Sequence, residues 1–273
     1  MLTQPHTSID QWTAHFRDLD IPVLATTVEA IAALSPDDDR VDANQIASIV
    51  LRDPLMTLRV LAHVSRRFGS RLETDVETVR AALVLMGIRP FFRDFSPLTT
   101  VQQRLGNDAV PLAAVERAVE RAWRAARMAL GFAVHRMDDD ADVIHQAALL
   151  HDFSGLLLWC EAPVLSSDIA RRQLADPTLR SAQAQVEVLH IELEALELAL
   201  MTAWKLPAML RQMSDPTFAT HPGVRSVALA VRIARHTQHG WDNPALPDDF
   251  TELGKLLHLS RPAARELARE LDS

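Results

Sequence analysis

Apolar residues recur along this chain at intervals of three and four positions, whereas strict alternation of apolar and polar residues is hard to find. The first spacing places side chains on one face of an α-helix, and alternation is the repeat of a β-strand. Glycine, which weakens helices, occurs only eight times in 273 residues. The pattern therefore predicts an all-α protein.

Start signals divide the first hundred residues into short helices. Asp42, with Gln45 three positions later, predicts a capping box in which each side chain bonds a backbone N–H of the first turn. Asp53 predicts a second helix start, with Pro54 at the first helical position. A third helix is predicted over residues 75–86, before a glycine that ends it.

The rest of the chain shows helical spacing in five segments joined by stretches rich in Asp, Pro and Ser, and then in two short segments. The predicted helices are 112–131, 142–159, 185–204, 207–213, 223–236, 250–257 and 261–271. A weak composition boundary lies at residues 106–108. We therefore expect an N-terminal helical lobe (1–108), a second helical lobe (109–245) and a C-terminal helical tail that packs on the domain (246–273).

The two short helices of the tail could be mistaken for a DNA-binding helix-turn-helix. Arg265 and Arg269 lie on one face of the last helix, but Glu266 and Glu270 are beside them, so attraction to phosphates would be largely neutralised. The whole chain also carries a net charge of -8, which repels nucleic acid. A packing role for the tail is the favoured interpretation, and no nucleic-acid partner is expected.

The cysteine and hydropathy content restricts the class of protein further. Cys160 is the single cysteine, which excludes an internal disulfide framework and fits a reducing compartment; its apolar surroundings favour a buried, inert thiol. No apolar run reaches the roughly 18 residues of a membrane span, and the N-terminus has no signal-peptide pattern. We expect a cytoplasmic protein that does not insert in membranes.

An adjacent His151 and Asp152 follow an apolar helical stretch and are the main candidates for chemistry. Such a pair can supply one nitrogen and one carboxylate ligand to a divalent metal that activates water. One dipeptide is a weak signal by itself, and its surroundings decide how it is interpreted.

The segment Ala-Ala-Leu-Leu-His-Asp-Phe-Ser-Gly-Leu-Leu-Leu, residues 147–158, resembles the HD superfamily of metal-dependent phosphohydrolases. Further segments resemble the HDOD family, in order and well spaced: 21–24, 46–61, 79–88, 189–190 and 204–207. This resemblance implies a two-lobed helical fold with a degenerate HD-type second lobe. It also implies a regulatory relative of the HD phosphohydrolases, commonly bacterial and without a demonstrated general activity.

The same resemblance implies a ligand set that this chain does not complete. The histidine of the preceding helix is replaced by Ala125, and the closing aspartate by Val231. His151, Asp152 and His190 remain as a residual cleft, too few to hold a hard divalent cation firmly. We therefore expect no catalytic residue, no metal and no cofactor, and a signalling module that binds a partner protein in a bacterial pathway.

Two other functions stay open. The first is a weak metal-dependent phosphohydrolase acting on a nucleotide or cyclic dinucleotide, with His151, Asp152 and His190 as ligands. The missing donors would then come from acidic residues within reach, for which the candidates are Asp142, Glu187 and Glu192. The second is a ligand-sensing cleft without turnover, which would show as a pocket with convergent arginines.

Overall fold

The regular structure of this protein is helical throughout the described part of the chain. The computed structural model describes residues 1–38, 40–68 and 76–273. Within these residues the only β-type pairing is an isolated parallel bridge between Val23 and Thr100. The predicted all-α class is confirmed.

The helices are numbered in chain order. They are α1 (Ile9–Arg17), α2 (Ala25–Ala32), α3 (Ala43–Val50), α4 (Pro54–Phe68), α5 (Val79–Met86), α6 (Ile88–Asp94), α7 (Val101–Leu105), α8 (Ala109–His135), α9 (Ala141–Leu150), α10 (Phe153–Glu161), α11 (Pro163–Ala175), α12 (Ser181–Leu189), α13 (Leu193–Ala203), α14 (Ala208–Ser214), α15 (Pro222–His236), α16 (Leu246–Leu257) and α17 (Arg261–Asp272). A turn of 3₁₀-helix, Pro216–Phe218, precedes α15.

The chain forms two compact units, each built from two segments. Unit 1 consists of Met1–Ala118 and Asp152–Leu206, and unit 2 of Val119–His151 and Pro207–Ser273. These contact-defined limits do not coincide with the sequence-based division into residues 1–108, 109–245 and 246–273. That division stays a prediction about domain organisation.

A buried carboxyl group joins two helix starts in unit 1. The Oδ1 atom of Asp53 accepts hydrogen bonds from the N–H groups of Leu55 (2.9 Å) and Met56 (3.1 Å), so the predicted cap of α4 is present. The Oδ2 atom accepts from the N–H of Leu24 (2.8 Å) and the hydroxyl of Thr27 (2.9 Å). Burial raises the pKa of Asp53, and the four accepted hydrogen bonds oppose that shift.

The structure agrees in part with the other predicted helix starts. Asp42 accepts from the N–H of Gln45 at 2.8 Å, which is one half of the expected capping box. Both halves are present instead at Thr100 and Gln103, where α7 begins. The predicted start at Asp75 lies outside the described residues, and α5 begins after Thr78, whose hydroxyl accepts from the N–H of Ala81.

Two indole groups hold α1 against the rest of unit 1. Trp12 donates to the carbonyl of Leu189 (3.1 Å), and Trp204 donates to the carbonyl of Arg17 (2.9 Å). Both indoles are buried, so these bonds satisfy polar groups that burial would otherwise leave without a partner. The sequence-based helices did not include α1.

Two predicted helices each divide into two in the structure. The segment predicted as 142–159 breaks at His151 and Asp152, between α9 and α10. The segment predicted as 185–204 breaks after α12 at His190, whose φ of 63° is left-handed. Apolar spacing continues through both breaks because the helices on either side bury apolar faces, so periodicity alone did not reveal them. The helix α11 was also missed.

The C-terminal helix is fixed within unit 2 by an ion pair and a close contact. Arg124 of α8 donates to both carboxylate oxygens of Asp272 at 2.6 Å, and it also donates to the hydroxyl of Thr237 at 2.6 Å. Gly131 of α8 lies against the side chain of Leu271, which a Cβ at that position would strike. The absence of a side chain there therefore allows α17 to approach α8.

The single cysteine is buried, as expected. Burial, together with the neighbouring negative charge of Glu161, raises the pKa of Cys160 to about 12, so the thiol is protonated at neutral pH. Among the described residues no single helix is long and apolar enough to cross a membrane, although one pair of segments bent by 116° passes the same test of length and composition.

We predict that Asp53→Ala lowers the free energy of unfolding of unit 1 by about 3 kcal/mol, because it leaves several buried donors without an acceptor. The matched control is Asp42→Ala, which removes an exposed N-cap and should cost about 1 kcal/mol. Urea denaturation followed by circular dichroism measures both. Equal losses for the two variants would contradict a tertiary role for Asp53.

Candidate functional site

The His-Asp pair lies at the junction of α9 and α10. His151 is the C-cap residue of α9 and is exposed, and Asp152 precedes the first residue of α10 and is half-buried. The carboxyl group of Asp152 lies against Gly155, where an added Cβ would be 2.7 Å from Oδ1. The glycine that follows the pair therefore leaves room for the carboxyl group.

A second carboxyl group, which the sequence analysis missed, belongs to this junction. Glu197 lies on α13 and is buried in unit 1. It accepts a hydrogen bond from the backbone N–H of Ser154 in the first turn of α10, and its Oε2 is 3.3 Å from the Ser154 hydroxyl oxygen. A side chain of α13 therefore caps the helix that begins after the His-Asp pair.

Burial and charge both favour the neutral form of this second carboxyl group. Burial raises the pKa of Glu197 well above its usual range, the negative charge of Asp152 raises it further, and the bonds from Ser154 oppose the shift. A protonated Glu197 can donate to the Ser154 hydroxyl, which in turn donates to the carbonyl of Leu193 at 3.1 Å. These hydrogen bonds join Glu197 to the start of α10, so Glu197 has a structural role.

The sequence did contain a signal for Glu197. It lies four residues after Leu193 and three before Leu200, on the face of α13 that packs into unit 1. An acidic residue in the apolar stripe of a helix is rare, and it indicates a specific partner. Only the tertiary structure shows that the partner is the first turn of α10.

His190 ends a helix and is exposed. It is the C-cap residue of α12 with φ 63° and ψ 12°, a left-handed conformation that few residues other than Gly, Asn, Asp and His adopt. The left-handed backbone at the end of α12 is therefore sufficient reason for a histidine at this position. The assignment of His151, Asp152 and His190 to one residual cleft stays a prediction.

The positions where ligands were expected to be lost carry hydrocarbon side chains. Ala125 is buried in α8, and Val231 is half-buried in α15. Neither can ligate a metal.

The acidic residues considered as replacement donors lie on exposed surfaces or in other pairs. Asp142 is exposed in the first turn of α9, and Glu192 is exposed before α13. Glu187 forms an ion pair of 3.1 Å with Arg172. In residues 1–38, 40–68 and 76–273, no three His, Cys, Asp or Glu side chains are grouped as metal ligands. The donor set does not fit the metal centre of an HD hydrolase.

The sequence of this chain matches the profile of a known protein family. The profile of the HDOD domain matches residues 21–216, which is more than half of the chain. The chain belongs to the HDOD family. The family is related to the HD phosphohydrolases, in agreement with the resemblance around His151 and Asp152.

Solved structures share the HDOD fold along nearly the whole chain. The MmoQ response regulator from Methylococcus capsulatus str. Bath is similar with a TM-score of 0.70 and 19% identity, over 93% of this chain and 98% of that one. A virulence factor from Campylobacter jejuni subsp. jejuni is similar with a TM-score of 0.67 and 15% identity, over 97% and 98% of the two chains. No curated protein matches the sequence.

We predict that Glu197→Gln stabilises unit 1 increasingly as the pH rises. Because burial raises the folded-state pKa, the wild type has its full stability below the unfolded-state value of about 4.3 and loses stability as the pH rises through the folded-state pKa. Glutamine keeps the shape and does not ionise. Melting temperatures of the two proteins between about pH 4.5 and pH 8 should therefore diverge toward high pH.

Glu192→Gln is the matched control for this measurement, since Glu192 is exposed and precedes the same helix. Its melting temperature should follow that of the wild type at each pH. Parallel curves for Glu197→Gln and the wild type would show that Glu197 ionises in the folded state as it does in the unfolded chain.

Proposed function

We propose that this HDOD protein is a non-catalytic regulatory module that binds a partner protein in a bacterial signal-transduction pathway and works in the cytoplasm. The observation that carries the proposal is the pair of hydrocarbon side chains, Ala125 and Val231, at the two ligand positions implied by the resemblance to HD hydrolases. The description of the similar MmoQ protein as a response regulator supports a signalling role.

An exposed apolar face on α5 supports partner binding. This helix is apolar on all sides except at Arg80, which is typical of a helix that is covered on every face. One face packs into unit 1 through Val79, Ala82, Leu83 and Met86. The opposite face exposes Ala81, Val84 and Leu85, and Val84 is 69% exposed. A partner protein with an apolar surface would remove this face from water.

The competing function is a weak metal-dependent phosphohydrolase. The retained His151 favours it, since this side chain is exposed and adjacent to a half-buried carboxyl group. Against it stands the donor set, which supplies one nitrogen and one carboxyl group at the junction of α9 and α10. Structural and catalytic metal sites usually take three or four protein ligands.

We predict that Mn²⁺, Fe²⁺, Zn²⁺ and Ni²⁺ produce no rise in melting temperature that depends on His151. A metal that binds only the folded state, at a free concentration about 100 times its dissociation constant, would raise the free energy of unfolding by about 2.7 kcal/mol. Thermal melts of untagged wild type and His151→Ala test this, with metal content by mass spectrometry. The control is His239→Ala, which removes an exposed histidine elsewhere. About one metal per chain, lost only in His151→Ala, would favour the hydrolase.

We predict that a photo-cross-linking residue at position 84 captures a distinct partner protein in cells, because the exposed face of α5 is buried in the complex. The matched control is the same residue at position 110, where Val110 is 62% exposed on α8. Leu85→Glu should abolish the adduct at position 84, since a charge would have to be buried. Identical adducts from positions 84 and 110 would contradict a binding face on α5.

A further inference from the structure

Unit 2 contains a groove that lies outside the residues matched by the HDOD profile. It has a volume of about 610 Å³ and is bounded by residues 241–250 and by residues 261–269 of α17. Volumes of roughly 300–1,000 Å³ are typical of small-molecule sites. The proposed regulatory function makes no use of this groove.

Three arginines of α17 line the groove. Arg261, Arg265 and Arg269 are four residues apart, so they follow one face of the helix over about 12 Å. All three are exposed, and none of their side chains has an ion pair or hydrogen bond within the described residues. Three less exposed arginines of the same unit do have carboxylate partners: Arg124 with Asp272, Arg136 with Asp138 and Arg232 with Asp249.

The charge balance of the groove favours an anion. Two carboxylates, Asp242 and Glu266, line it beside the three arginines. Glu266 forms no direct ion pair with these arginines within the described residues, and its charge offsets part of theirs. The three arginines outnumber the two carboxylates that line the groove, although the chain as a whole carries a net charge of -8. Arginine forks bind phosphate groups through paired, charge-assisted hydrogen bonds.

An aromatic wall adjoins the arginines. The rings of Trp241 and Phe250 are nearly parallel, at 14° and 6.2 Å between centroids, and the guanidinium of Arg269 lies 5.3 Å from the Trp241 ring. Trp241 is half-buried, so one part of its surface faces the groove. Indole rings stack on the planar rings of nucleobases.

The walls of the groove are held by local bonds. The hydroxyl of Ser260 caps α17 by accepting from the N–H of Ala263, and the N–H of Leu259 donates to the carbonyl of Gly254 at 2.9 Å. On the other side, Arg232 and His236 of α15 contact Asp249 of α16, each at 2.6 Å. The groove is therefore formed before any ligand binds, which lowers the cost of binding.

We propose that this groove binds a nucleoside polyphosphate, with the phosphates at Arg261, Arg265 and Arg269 and the base beside Trp241. The arginine row spans about 12 Å, which is comparable to the length of a few linked phosphates. A freely diffusing nucleotide of this class would regulate the protein by binding to it and would not be hydrolysed.

Isothermal titration of the full chain with ATP, GTP, inorganic tripolyphosphate and adenosine tests the proposal. We predict the tightest binding for one of the nucleotides, weaker binding for tripolyphosphate and the weakest for adenosine. The double variant Arg261→Gln/Arg265→Gln should weaken nucleotide and tripolyphosphate binding about tenfold or more. Trp241→Leu should weaken nucleotide binding and leave tripolyphosphate binding unchanged. All these changes are at exposed or half-buried side chains, and circular dichroism confirms folding.

The matched control is Arg235→Gln, which removes an exposed arginine of α15 outside the groove and should bind nucleotide as the wild type does. Dissociation constants above about 1 mM for every probe would overturn the proposal, as would unchanged affinity in the double arginine variant. Tighter binding of a short DNA duplex or single strand, lost in the same variant, would also overturn it and assign the groove to nucleic acid. The partner-binding proposal is unaffected by any of these results.

Discussion

The carboxyl group of Asp53 is the contact on which the N-terminal part of unit 1 depends. One of its oxygens caps α4, and the other binds the N–H of Leu24 and the hydroxyl of Thr27 at the start of α2. Two helices separated by almost thirty residues therefore begin at a common buried point. Because a buried acceptor with four donors is costly to disturb, the relative position of these helices is set within narrow limits.

The junction after the His-Asp pair is built on the same principle. In an active HD hydrolase this junction would present ligands to a metal; here a carboxyl group, Glu197, caps the first turn of α10 from a neighbouring helix. Burial raises the pKa of Glu197 and so favours the neutral form, which can donate a hydrogen bond to the Ser154 hydroxyl. The buried carboxyl group at this junction serves packing, which agrees with the proposed regulatory function.

The C-terminal segment contributes features that the family relationship does not explain. The bidentate pair between Arg124 and Asp272 and the close approach at Gly131 fix α17 in unit 2. Arg261, Arg265 and Arg269 are left without carboxylate partners on the outer face of the same helix. Arg124 holds α17 through Asp272, three residues after Arg269, whereas the three arginines themselves form no ion pair or hydrogen bond within the described residues.

The all-α class, the family and the cap of α4 at Asp53 could be predicted from the amino-acid sequence. These features follow from periodicity, local capping chemistry and residue identity, which neighbouring positions in the chain define. The tertiary structure was needed to show that helices break at His151 and at His190 and that Glu197 caps α10. It was also needed to show that three arginines of α17 lie near Trp241 without an ion pair within the described residues. Such features depend on contacts between residues far apart in sequence, and the spacing of apolar residues carries no record of them.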